Sequence, residues 1–297
     1  MNRIKDQIRC GAAYRLGLTG KGIGVAVLDT GIFLHRDFDS RVTGFADMVN
    51  GKTFAYDDCG HGTHICGIIG GSGRMSGGRY SGIAPGCNLI MVKVLDRKGN
   101  GYSSDVLAGI SWVLERKEQL GIRILNISVG ACSKRGMSEN SALVKGVNRA
   151  WDAGLVVVVA AGNNGPRTMS ITTPGISRKV ITVGCSDDDR EVLVGGNRMV
   201  DYSGRGPTAA CICKPDLVAP GCSVVSCSSR ADKYTIKSGT SMSTPIVSGA
   251  VALLLERFPD MSNKDVKLRL RESSVDIGLP RNQQGWGMLN VEKMIGK

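Results

Sequence analysis

Residues 22–30 read GIGVAVLDT, an apolar run that closes on a carboxylate, Asp29. Its Val, Ala and Leu residues without polar alternation fit a strand buried on both faces. The residues in front of it decide what kind of strand this is. Gly20-Lys21-Gly22-Ile23-Gly24 resembles part of a dinucleotide-binding fingerprint, but that fingerprint follows a strand and opens a helix. Here the glycines precede the strand, so the nucleotide reading is excluded and a bare strand carries Asp29 at its end.

Four further runs have the same character: 88–95 (NLIMVKVL), 122–129 (IRILNISV), 155–160 (LVVVVA) and 180–184 (VITVG). Segments 103–119, 138–153 and 241–258 instead repeat apolar residues with a helical period. Strand and helix in alternation predict an α/β protein, a three-layer α/β/α fold with a mostly parallel central sheet covered on both faces. Gly99-Asn100-Gly101 lacks the Lys and Ser/Thr of a phosphate loop. With no internal repeat or low-complexity linker, the chain reads as an N-terminal arm, 1–20, followed by one domain, 21–297.

Composition narrows the function classes. A chain of 297 residues, 42% hydrophobic, can bury a large core, and it has no run of 18 apolar residues, so no membrane partner is expected. The start, MNRIKDQIRCGAAYRLGL, has no apolar stretch followed by a small-residue cleavage site, which points to a cytoplasmic protein. Ten cysteines are spread through core segments of a chain large enough not to need staples, so reduced thiols are expected. Cys211-Ile212-Cys213 and the pair Cys222, Cys227 lack a C-x2-C spacing and a nearby His, which argues against structural zinc. The net charge of +12 comes from scattered residues without interleaved aromatics, a solvated basic surface rather than a nucleic-acid site. Nothing in the composition fixes an oligomeric state.

Parallel sheets place their sites beyond the carboxyl ends of the strands. There the sequence gathers Asp29, then Ser128-Val129-Gly130, then Ala161-Gly162-Asn163-Asn164-Gly165. Only three histidines exist, His35, His61 and His64, and His is the usual base for a serine nucleophile near neutral pH. His61 and His64 lie in DCGHGTHICGII at a predicted helix start, where two His three residues apart also suit a metal, though no HExxH pattern or further ligand is near. Asp29 in an apolar strand is costly unless it meets hydrogen-bond donors or a positive charge, so it is a candidate to orient a His. Asp-Thr-Gly also suits a simple turn. GTSMSTP, 239–245, crowds hydroxyls at the mouth of an apolar helix. Helix caps explain them, and so does a nucleophile.

VAVLDTGI, GHGTHICGII and SGTSMSTPIVSGAVALLL, in that order, resemble the three active-site motifs of the subtilisin-like serine proteases, the subtilases, whose triad runs Asp, His, Ser. YSGIAPGCNLIMVKVLD, ILNISVG, VVVVAAGNNGP, PGISRKVITVG, YSGRGPT, KPDLVAPG and GWGMLNVEKMI are similar to subtilase segments as well, so the resemblance spans about residues 14–295. YDDCGHGTHICGIIGGSG and the missing leader are most similar to the intracellular, AprX-type bacterial branch. The resemblance implies a subtilisin-like fold and a serine endopeptidase acting on peptide or protein substrates, with no cofactor needed for chemistry. Asp29 would orient His61, His61 would take the proton of Ser241, and Ser241 would attack the scissile carbonyl. The Asn163 amide and the Ser241 backbone N–H would hold the oxyanion.

An extended substrate is bound most economically by pairing with strand edges. By resemblance, Gly99, Asn100 and Gly101 (with Lys98) form one edge and Ser128, Val129 and Gly130 the other. Val129, Ala160, Ala161 and Gly162 would line the specificity pocket, and Tyr102 would border a pocket further upstream. His64 is expected to be structural, Ser243 and Thr244 to be caps or packing hydroxyls, and His35 with Asp37 to stay outside the chemistry.

The sequence also departs from the family. Cys59, two residues before His61, is a thiol where relatives commonly carry Asn, and loop 166–170 is short. Segment 72–82, SGRMSGGRYSG, has two arginines and no carboxylate, a poor set for calcium. Asp37 matches one family ligand position but would lack partners, so this structural calcium site is expected to be absent. Too few residues precede Asp29 for an inhibitory prodomain: either none is needed or it lies outside this sequence, in which case secretion is the alternative location. Residues 1–14 are the only candidate for a removable arm. The rival to the enzyme reading is a catalytically silent subtilase fold, a pseudoprotease used for binding or signalling.

Overall fold

The computed structural model describes residues 1–130 and 139–296. The strands are β1 (Gly24–Asp29), β2 (Val42–Asp47), β3 (Asn88–Lys93), β4 (Ile122–Ile127), β5 (Val156–Ala160), β6 (Ile181–Cys185), β7 (Val192–Val194), β8 (Asn197–Met199), β9 (Leu217–Ala219), β10 (Val224–Cys227) and β11 (Tyr234–Lys237). The α-helices are α1 (Asn2–Gln7), α2 (Gly11–Arg15), α3 (His61–Gly70), α4 (Ser103–Arg116), α5 (Ala142–Asp152), α6 (Thr240–Arg257), α7 (Asn263–Ser273), α8 (Arg281–Gln284) and α9 (Val291–Ile295).

Seven strands form one sheet in the order β2-β3-β1-β4-β5-β6-β9, every pairing parallel. β1, β5 and β6 are buried along their whole length, as expected for strands covered on both faces. α3 and α6 pack together and against the sheet, α3 on β1 and β3, α6 on β4, β5 and β6; α4 and α5 pack together and against β1 and β5. The result is the expected three-layer α/β/α architecture. β7 with β8 and β10 with β11 form two antiparallel hairpins outside it.

The five strands expected from sequence all form, with ends shifted by one or two residues. β2 was not anticipated, because it is an edge strand with only partial burial and a central Gly44. β9 has three residues, too short to show a period. The helical pattern at 138–153 corresponds to α5; Ser138 lies outside the described residues. α6 differs more: rather than burying one apolar face, it is buried all round, with only Ser241, Glu256 and Arg257 not buried among its 18 residues. A helix this enclosed needs small residues where neighbours press closest, and a Cβ on Gly249 would lie 2.7 Å from the Ile83 side chain.

Residues 1–20 pack on the body of the protein. Ile4, Ile8, Cys10 and Ala13 are buried in the core, the Val291 N–H donates to the Ile8 carbonyl at 2.8 Å, and Arg3 donates to the Cys222 carbonyl at 2.6 Å. Among the described residues, no helix is long and apolar enough to cross a membrane.

Candidate active site

β1 sits between β3 and β4, where the sheet's strand order reverses, and its carboxyl end is the crevice in which such folds bind ligands. Asp29 ends β1 completely buried. Its Oδ1 accepts the Thr30 N–H at 2.8 Å and lies 2.7 Å from His61 Nδ1. Oδ2 has no hydrogen-bond partner among the described residues. The carboxylate that the sequence marked as costly in an apolar strand therefore does face an imidazole.

His61 is the first residue of α3, and its placement depends on a backbone drawn tightly against the end of β1. A Cβ on Gly31 would lie 2.1 Å from the Tyr56 carbonyl, and one on Gly62 would lie 2.2 Å from the Gly31 carbonyl. Gly60, the N-cap, takes φ 87°, a left-handed conformation natural to glycine. The hub of this turn is Asp57: Oδ1 accepts from the Thr30 hydroxyl (2.9 Å) and from the N–H groups of Cys59 (3.1 Å) and Gly60 (2.7 Å). Oδ2 accepts from the Thr63 N–H (2.9 Å) and hydroxyl (2.6 Å), so Asp57 holds the start of α3 as a cap would. Lys93, fully buried, donates to the Thr30 and Leu95 carbonyls at 2.6 and 2.8 Å and to Asp58 at 2.8 Å. Sequence reasoning missed Asp57 and Lys93. The carboxylate four residues ahead of the predicted helix was the available signal for Asp57, and a lysine within the apolar run 88–95 was the signal for Lys93.

At the mouth of α6, only Ser241 among the first-turn residues escapes burial. Its neighbours are packing hydroxyls rather than caps. Ser243 donates to the Ala219 carbonyl at 2.9 Å and Thr244 to the Thr240 carbonyl at 2.8 Å, and no side chain caps the helix at Gly239. Asn163, beyond β5, has its orientation set by Thr240: Oδ1 accepts both the Thr240 N–H and hydroxyl, each at 3.0 Å. An amide whose oxygen is engaged twice leaves Nδ2 as its available donor. The Ser241 N–H belongs to the first turn, whose N–H groups have no helical partner. His61, Asn163 and Ser241 line one cleft of about 570 Å³.

The histidines differ electrostatically. Burial opposes a charge on His61, but the Asp29 charge and hydrogen bond outweigh it, and its pKa is raised above the ordinary 6.5. His61 is still 22% exposed at the cleft floor, so protons can reach it. His64 is fully buried, with Nε2 donating to the Val224 carbonyl at 3.1 Å, and burial pushes its pKa down to about 3. It stays neutral and structural. The unfolded chain protonates this side chain near 6.5 and the folded one only near 3, so stability should fall as pH drops from 6.5, by up to about 1.4 kcal/mol per pH unit from this residue. Urea titrations from pH 7 to 4 should show that slope, and His64→Gln should flatten it; an unchanged slope in the variant would refute this account.

Gly99, Asn100, Gly101, Tyr102, Val129 and Gly130 come together around a second cavity of about 220 Å³, walled by Leu95, Val106, Leu143 and Pro174. Ser128, Ala160, Ala161 and Gly162 do not line it. Ser128 is buried and accepts from Asn126 Nδ2 at 2.8 Å, and Ala160 and Ala161 are buried. Thr172, which sequence reasoning missed, occupies the space between the two predicted walls. A Cβ on Gly130 would lie 2.2 Å from its Oγ1, and one on Gly162 would lie 2.4 Å from its Cγ2.

His35 and Asp37 form a separate buried network. Asp37 Oδ1 accepts the Met75 N–H at 2.9 Å and Oδ2 the Tyr234 hydroxyl at 2.7 Å, while Cys227 Sγ lies 3.7 Å away. Both Asp37 oxygens are thus engaged by protein donors, with a thiol and an imidazole as further neighbours.

A buried Asp and a His at the head of one helix, with a Ser at the head of another, all at the switch point of a parallel sheet, define a class of hydrolase. Residues 20–287 match the subtilase family of peptidases, S8, and the chain belongs to that family as a subtilisin-family serine protease. It is 44% identical to the serine protease AprX of Bacillus subtilis over 99% of this chain and 70% of that protein. It is 34% identical to subtilisin Savinase of Lederbergia lenta, over 97% of this chain and 96% of that one. Among solved structures, sphericase superposes with a TM-score of 0.77 at 31% identity, covering 92% of this chain and 93% of its own.

Proposed function

We propose that this protease is an endopeptidase that cleaves through an acyl-enzyme, with Asp29, His61 and Ser241 as its triad. The observation that carries the proposal is the 2.7 Å contact of buried Asp29 with His61 Nδ1, in the cleft that also holds Ser241. Asp29 fixes the tautomer with the proton on Nδ1, so the Nε2 lone pair is left for the serine proton. Ser241 Oγ attacks the carbonyl carbon as His61 takes its proton; the C–N bond then breaks as His61 returns that proton to the leaving amine. Water, deprotonated by His61, attacks the ester carbon; the C–Oγ bond then breaks as His61 returns that proton to Ser241, and the acid is released. Asn163 Nδ2 and the Ser241 N–H are aimed at the charge that develops on the carbonyl oxygen.

The deciding experiment is fluorophosphonate labelling with the adduct located by mass spectrometry. Labelling at Ser241, lost in Ser241→Ala and much reduced in His61→Ala, supports the triad. Folded protein that takes no label would establish the silent alternative. Asn163→Ala should lower kcat by about 10²- to 10³-fold with little change in KM, the scale known for the equivalent donor of subtilisin itself. Thr240→Val keeps the backbone donor to Asn163 and loses the hydroxyl, so a loss of roughly tenfold or less is expected. Steady-state kinetics on one quenched peptide checks both, and a kcat unchanged in Thr240→Val would refute the positioning role of its hydroxyl.

The substrate reading places the chain before the scissile bond along Gly99–Gly101 and Val129–Gly130, with an upstream apolar side chain in the 220 Å³ cavity beside Tyr102. Thr172 narrows the adjoining pocket and favours small side chains there. We place the enzyme in a reducing compartment such as the cytoplasm, on the support of nine described cysteines that are all free. Thiol titration of protein denatured directly from cells should find all ten cysteines reduced; protected thiols would overturn the location.

A further inference from the structure

The cleft that holds His61, Asn163 and Ser241 continues away from the Gly99–Tyr102 cavity, between the β7–β8 hairpin and the end of β11. Its walls there are Leu193, Val194, Met199, Ile236 and Met242, with Leu193 and Ile236 each 63% exposed. In this apolar setting stands a single residue of fixed charge, Lys237. Among the described residues, no carboxylate comes within ion-pair distance of it, as for several surface lysines, but Lys237 is the one that lines the cleft with His61 and Ser241. Its position is not free to drift far from the chemistry, because Lys237 lies four residues before Ser241 and is pinned in register opposite Val224. The ammonium is near enough to disfavour protonation of both His61 and His64.

We propose that Lys237 makes this half of the cleft a subsite for an acidic side chain, Asp or Glu, within the first two residues on the leaving-group side of the scissile bond. The assignment rests on the substrate direction given above: if the acyl side lies along Gly99–Gly101 and Val129–Gly130, the leaving amine departs past Ser241 toward Lys237. A carboxylate there meets an unpaired cation between apolar walls, where the effective dielectric is lower than in water and the attraction correspondingly stronger. The flanking Leu193 and Ile236 offer apolar contact to the methylene stem of Glu, and a lysine at the same substrate position would meet a like charge.

The test uses quenched peptides that share one acyl side, carry an amidated C-terminus, and place Glu, Gln or Lys at the first or the second leaving-side position. Wild-type protein should cleave the best Glu peptide with kcat/KM at least tenfold above its Lys counterpart, and the ratio should shrink as salt is raised. Lys237→Met should bring the ratio near one and Lys237→Glu should invert it. Ratios are taken within each variant, so a change in His61 basicity cancels. A wild-type ratio within twofold of one at both positions, or one unchanged in Lys237→Met, overturns the subsite while fluorophosphonate labelling of Ser241 leaves the triad standing. Loss of labelling in wild type overturns the triad and this inference together. A preference that appears only with a free C-terminus would instead assign Lys237 to the substrate's terminal carboxylate and overturn the side-chain reading.

Discussion

Ser241→Ala is expected to lower kcat by about 10⁶-fold, and His61→Ala by a similar factor, the scale on which subtilisin responds to losing either group. The two side chains act as one unit, so Ser241→Ala/His61→Ala should be scarcely worse than either variant alone. The residual rate should still exceed the uncatalysed reaction by 10³- to 10⁴-fold in order of magnitude, because Asn163 and the Ser241 backbone N–H remain in place. The replaced hydroxyl is the one first-turn side chain of α6 that is not packed away, so the fold should tolerate the change. Turnover of a quenched peptide by purified variant, with wild-type contamination excluded by active-site titration, is the measurement. Activity within tenfold of wild type would exclude Ser241 as the nucleophile.

The second large effect is expected at Asp29. Asp29→Asn keeps the shape of the side chain but substitutes an amide for the oxygen that meets His61 Nδ1 at 2.7 Å. An amide nitrogen turned toward Nδ1 would favour the tautomer with the proton on Nε2, which cannot accept from Ser241, and kcat should fall by about 10⁴-fold. The pH profile provides an independent readout. Catalysis needs neutral His61, so kcat/KM should rise with pH through the His61 pKa. In wild type that midpoint lies above 6.5, because the Asp29 charge overcomes the burial that opposes protonation. Without that charge burial prevails, and the ascending limb of Asp29→Asn should move to lower pH even as its plateau drops. A plateau loss with an unmoved midpoint would show that Asp29 acts by shape alone.

The parts of this site that were legible in sequence have a common physical basis. Asp29 stood out because a carboxylate at the end of a fully apolar strand carries a desolvation cost that demands a partner. With only three histidines, the choice of partner was narrow. Ser241 was ambiguous in isolation, since Ser and Thr at a helix start serve as caps more often than as nucleophiles. The observed hydrogen bonds separate them: Ser243 and Thr244 donate to carbonyls, and Ser241 faces the cleft.

Less could be read where a role depends on what comes to lie alongside. Thr172 carries no local signature; it matters because it fills the gap between Gly130 and Gly162, which precede it in sequence by 42 and 10 positions. Thr240 was quoted within the motif, yet its function, holding the Asn163 oxygen, arises from a contact across 77 residues. Lys237 was one cation among 38 lysines and arginines until the hairpin and α6 left it unpaired in the cleft.

By itself the sequence determined the layered α/β architecture, the strand that delivers Asp29, and the motifs that carry His61, Asn163 and Ser241. The architecture and the Asp29 strand follow from local periodicity and from the cost of burying a charge, which are properties of short segments; the His61, Asn163 and Ser241 motifs were legible through their resemblance to subtilase segments. The tertiary structure alone decided which way the Asn163 amide points, which wall narrows the pocket, and which lysine lines the cleft. Each of these depends on distances between segments far apart in the chain, and such distances exist only once the sheet has brought its strand ends together.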